Sequence, residues 1–116
     1  MVNMGESTKH HRINTMNTFR IYCGLDTKGR LTTDQARETA LGLACDWFPH
    51  GHTIIEATGR WQQDNAPVTE PTIIIEVITE NSTQEAFAYS LAGAYKNLAF
   101  QESVLITKTA IDADFV

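Results

Sequence analysis

Two cysteines in 116 residues are too few for a disulfide framework. Cys23 and Cys45 are expected as small apolar groups of the interior rather than a redox pair. No stretch reaches the roughly 18 apolar residues that a membrane span needs, so no membrane is expected as a partner. Basic residues are scarce: nine lysines and arginines against fourteen acids give a net charge of −5. That balance repels the phosphates of nucleic acid and leaves no polybasic patch, so nucleic acid is excluded as a partner. Also missing are a G-x-S-x-G elbow, a phosphate loop, a C-x-x-C pair and a nucleotide-binding glycine fingerprint. No cofactor is therefore expected. The opening "MVNMGESTKHHRINTMNT" is polar and lacks the apolar core of a secretory signal, which makes the cytoplasm the expected location.

What remains is an ordinary globular composition that switches between two periodicities. Residues 1–16 are expected as a disordered or loosely attached tail, carrying His10 and His11, and residues 17–116 as a single domain. In "TFRIYCGL", Phe19, Ile21, Cys23 and Leu25 alternate with Arg20 and Tyr22, the pattern of a half-buried strand. "DTKGR" turns the chain. "LTTDQARETALGLACDWF" then reads as a helix, with Thr32 or Thr33 at its cap and Gln35 completing a capping box. Its apolar face is Ala36, Ala40, Leu43, Ala44 and Trp47, and Pro49 stops it.

"HTIIEATGRWQQ" predicts a second strand, "DNAPVTEP" a loop long enough for a hairpin with an irregular tip, and "TIIIEVI" a central strand. "NSTQEAFAYSLAGAYKNLAF" predicts a second helix, with a capping box from Ser82 and Glu85 and a face of Phe87, Leu91, Ala94 and Leu98. "SVLITKTAI" closes as a strand. The order β-α-β-β-α-β predicts an α+β, ferredoxin-like fold: a four-stranded antiparallel sheet, ordered 4-1-3-2, with two helices on one face.

Two helices leave the other face bare. Alternation places Arg20 and Tyr22 there from the first strand, and Glu56, Thr58, Arg60 and Gln62 from the second. The third strand adds Ile74, Glu76 and Ile78, and the fourth Leu105, Thr107 and Thr109. Ile54, Ile74, Ile78 and Leu105 are too apolar for a face left in water, while the charges are too many for a dry core. A homodimer through the open sheet face reconciles the two, with a partly hydrated cleft between the sheets. Arg20, Tyr22, Glu56, Arg60 and Glu76 are the candidate ligand-binding residues of that cleft. Arg60 is expected to look out while its neighbour Trp61 packs under a helix. An arginine so held can bind an anionic group bidentately, or simply pair with Glu56 or Glu76 across strands. Tyr22, Glu56 and Glu76 are the nearest approach to an acid/base set. His50 and His52 could share a metal only with a third ligand from elsewhere; with none at a ligand spacing, no metal is expected.

This arrangement resembles the dimeric α+β barrel group of ferredoxin-like proteins, in which two subunits pack sheet against sheet. The resemblance spans residues 17–113 and implies a dimer but brings no catalytic motif. "FPHGHTI", "GRW" and "QESVL" are in addition similar to a family of short bacterial proteins of unknown function, on Phe48, Pro49, Gly51, Thr53, Gly59, Trp61, Gln101, Ser103 and Val104. Three functions fit. One is a dimeric module binding a small organic ligand, an anionic one included. Another is a cofactor-independent isomerase or monooxygenase working through Glu56, Glu76 or Tyr22. The third is an acidic protein-interaction module, such as an inhibitor encoded by a mobile element.

Overall fold

The computed structural model describes residues 13–116, and their side chains from Met16 onward. Strand β1 (Ile13–Gly24), helix α1 (Thr33–Trp47), strands β2 (Thr53–Gln63) and β3 (Ala66–Thr79), helix α2 (Ser82–Leu98) and strand β4 (Leu105–Ala113) follow in that order. The four strands form one antiparallel sheet ordered β2-β3-β1-β4, which is the expected α+β, βαββαβ arrangement. The expected boundary at residue 17 falls inside β1, because the strand continues back to pair Met16 with Ile111 and Ile13 with Ala113. Residues 1–12, including His10 and His11, lie outside the described residues.

The core sits between the helices and one sheet face. Phe19, Ile21 and Cys23 of β1 lie opposite Val77, Ile75 and Ile73 of β3, and all six are buried with Ala36, Ala40 and Ala44 of α1. Thr32 caps α1 through the capping box with Gln35. For α2 the cap is Asn81 rather than Ser82: its side chain accepts from the Thr83 amide at 2.7 Å. Thr79 Oγ1 holds the Asn81 amide at 2.9 Å, which sets the cap one residue early.

The buried face of α2 is also displaced by one position. Ala88, Leu91, Ala92 and Tyr95 face the core, whereas Phe87 and Leu98 are exposed. Small residues at 88 and 92 bring the helix backbone close to the sheet, and Tyr95 then reaches across to donate its hydroxyl proton to the Gly24 carbonyl. Large side chains on that stripe would have held the helix away.

The segment "DNAPVTEP", expected as a hairpin loop with an irregular tip, is instead a tight two-residue turn at Asp64 and Asn65 running straight into β3. Asp64 and Asn65 both have positive φ, 50° and 65°, as a two-residue type I′ turn requires. Two prolines in a strand are tolerated here for a reason of direction. The Pro71 carbonyl points towards β1 and accepts from Leu25 N at 3.0 Å, so its missing N–H also points away from β2. Pro67, four residues earlier, has the same orientation, and no β1 residue pairs with it. Neither proline removes a bond of the β2–β3 ladder.

Cys23 is fully buried and Cys45 exposed. Burial pushes the Cys23 thiol up to about 12 and pushes the Tyr95 phenol up as well. A thiol reagent at pH 8 is expected to titrate Cys45 alone, and both cysteines only in denaturant. Because the folded pKa of Cys23 lies above the ordinary thiol value of 9.0, this group leaves stability flat below pH 9. Stability falls as pH rises from 9 towards about 12, and a chemical-denaturation series over that range measures it.

Candidate functional site

The uncovered face has a charged centre and apolar flanks. Arg20 of β1 lies directly opposite Glu76 of β3, and its Nε donates to Glu76 Oε2 at 2.8 Å. Hydrogen bonds to Glu76 and then Tyr22 hold the Arg20 guanidinium above its already high ordinary pKa, so it is a fixed cation. Tyr22 and Ile74 form the neighbouring pair, and Thr107 and Leu105 of β4 lie beside Arg20 and Tyr22. Around them Ile78 is 47% and Leu105 60% exposed. Three of the five expected site residues, Arg20, Tyr22 and Glu76, are thus brought together.

Glu56 and Arg60 are not. The β2–β3 register places Ile54 opposite Ile75 and Glu56 opposite Ile73, two residues on the helix side of the sheet. Ile54 accordingly packs on the core, and Glu56 forms an ion pair with Arg37 of α1. Since β2 pairs without a bulge from Thr53 to Gln63, Thr58, Arg60 and Gln62 share that side. Thr53, Ile55, Ala57, Gly59 and Trp61 occupy the open face instead. Trp61 therefore does not pack under a helix; it is 43% exposed. Two adjacent isoleucines made either phase of this strand fit an apolar pattern, and only the partner strand decides between them.

At the hairpin end of the sheet lies a groove of about 240 Å³, lined among others by Asp26, Trp61, Glu70, Phe100 and Gln101. Here the absence of a side chain at Gly24 matters. A β-carbon there would stand 2.7 Å from Glu70 Oε1, and without it the carboxylate lies against the strand and accepts from Asp26 N at 2.9 Å. Sequence reasoning missed this site, whose residues come from four separate segments with no shared spacing. At the opposite end, a hollow of about 370 Å³ sets His50 and His52 near Glu76, Ile78 and Phe115. His52 Nδ1 is 2.9 Å from the Phe48 carbonyl, which holds the ring in place. Among the described residues, no helix is long and apolar enough to cross a membrane.

Element order, sheet topology and helix placement together define a small ferredoxin-like α+β protein. Within that class, residues 20–115 match the family described as "Protein of unknown function (DUF3574)", and the chain belongs to it. No curated protein matches the sequence. Among solved structures, a phage SAM lyase in complex with S-methyl-5′-thioadenosine is similar, with TM-score 0.57 and 18% identity over 86% of this chain and 91% of that one. CutA from Synechococcus elongatus has TM-score 0.53 at 9% identity, covering 91% of this chain and 83% of its own. CPII, a nitrogen regulatory PII-like protein from Thiomonas intermedia bound to ADP, AMP and bicarbonate, has TM-score 0.52 at 15% identity, covering 85% and 92%. At such identities the likeness is one of fold.

Proposed function

We propose that this protein is a homodimer through its open sheet face, and that the covered face binds a small organic anion at Arg20, Tyr22 and Glu76. The observation that carries this reading is the composition of that face: a fixed guanidinium paired with Glu76, ringed by exposed Ile78 and Leu105. Apolar flanks favour exclusion of water by a second copy, and the charged centre favours retention of a polar guest. The size is in keeping. Four strands about 4.8 Å apart and a register of eight residues at about 3.4 Å make a patch of about 500 Å² in plan. Side-chain relief raises it towards the ~800 Å² per partner of a standard interface.

Within the cleft, Arg20 would supply the charge and Tyr22 a hydroxyl, while Glu76 holds the guanidinium in place. Binding is the role these groups suit, because the Glu76 carboxylate is committed to the Arg20 guanidinium. A thermal-shift screen of small mono- and dicarboxylic acids is expected to find stabilising ligands, and Arg20→Met to abolish the shift while leaving the unliganded melting point within about 3 °C. Shifts that persist undiminished in Arg20→Met would remove Arg20 from the site.

A further inference from the structure

We infer that the groove at the hairpin end, which lies beyond the Gly24–Thr72 limit of the patch assigned to the dimer, is a second and separate binding site, which takes a planar ring compound bearing an amine or amidine. Three features converge there. Its walls carry two aromatic side chains, Trp61 and Phe100, that are 43% and 49% exposed. Their π-faces offer a planar guest a stacking surface. The polar groups between them are chiefly acceptors: the Glu70 and Asp26 carboxylates, and the Gln101 amide. Gln101 Nε2 already donates to the Asp26 and Ala99 carbonyls at 3.1 and 3.0 Å, which locks the amide and leaves Oε1 to accept. Asp26, Glu70 and Glu102 in the wall outnumber Lys28 and the Arg30 guanidinium beside Phe100, so the groove disfavours an anion and favours a donor or cation.

The third feature is Phe100 itself. It follows the Ala99 cap of α2 with φ of 56°, and Gln101 N closes back on Lys96 O at 2.9 Å. This is the left-handed slot that glycine fills at many helix ends, and a β-carbon is strained in it. A large exposed aromatic kept in that slot, steadied by the Arg30 guanidinium 4.8 Å from its ring centre, is placed for contact and not for backbone comfort. Gly24 contributes from below, since only a bare Cα lets Glu70 lie where it does.

The test uses two probes of equal shape and opposite charge, benzamidine and benzoate, added to the full chain. Binding is read from the indole N–H resonance of Trp61, identified by its loss in Trp61→Phe. Benzamidine is expected to move that resonance and saturate at about 1–10 mM, as suits so small a probe, with benzoate at least tenfold weaker. Glu70→Gln should weaken benzamidine at least fivefold. Phe100→Gly should weaken it as much while leaving the melting point unchanged or higher, which separates a binding role from a structural one. Equal response to both probes, no response to either, or full affinity in Phe100→Gly would each overturn the inference. None of these readouts depends on Arg20, so this site can fail while the sheet-face reading stands.

Discussion

Phe48→Ala is expected to destabilise the protein by about 3–5 kcal/mol, the usual cost of emptying a buried phenylalanine site. Phe48 is 1% exposed and belongs to the main core. It also holds the connection from α1 to β2 in place. Its amide donates to Ala44 O at 2.9 Å, its carbonyl accepts from Gly51 N at 3.3 Å, and the same carbonyl meets His52 Nδ1. Losing the ring both opens a cavity and loosens this turn. Against a total stability of about 5–15 kcal/mol for a domain of this size, the variant should melt at least 12 °C lower at about 4 °C per kcal/mol. Phe87→Ala is the control: its ring is 36% exposed, and the loss should stay near 1 kcal/mol. Equal melting points for the two variants would mean that the core has been misplaced.

The other large effect concerns association. Ile78→Asp with Leu105→Asp should leave the folded subunit intact, because both residues are about half exposed or more on a lone subunit and neither belongs to the core. In a sheet-to-sheet dimer the same change buries two carboxylates from each copy without partners, at several kcal/mol apiece. The dissociation constant should rise by at least about a thousandfold, some 4 kcal/mol, while the circular dichroism spectrum is unchanged. A variant that still sedimented as a dimer would place the interface elsewhere.

How far the fold could be read in advance depended on whether a local pattern had one solution. In β1 it did: Phe19, Ile21 and Cys23 on one side and Arg20 and Tyr22 on the other admit a single phase, and the pairing of β1 with β3 follows it. In β2 it did not, since Ile54 and Ile55 satisfy both phases and only the register with Ile75 and Ile74 separates them. That one ambiguity moved Glu56 and Arg60 off the open face and put Trp61 on it. In α2 the bulk of Phe87 and Leu98 misdirected the reading, where the alanines at 88 and 92 mark the contact. Pro67 and Pro71 are accommodated within β3 because a proline's cost depends on which way its nitrogen points, a property of the sheet and not of the residue.

The two sites differ in the same way. Arg20, Tyr22 and Glu76 were legible because alternation on neighbouring strands gathers them without help from the loops. The groove was not, since Gly24, Trp61, Glu70 and Phe100 meet only after the hairpin folds beside the end of α2. One local sign existed: an aromatic directly after a helix end, in a slot where glycine is ordinary.

The most direct test of the account is the mass of the unmodified protein by sedimentation equilibrium at micromolar concentration. A mass of about twice the 12.9 kDa chain, falling to one chain in the double aspartate variant, is the predicted result. A single-chain mass across the whole concentration range would contradict it and leave the sheet face open to water.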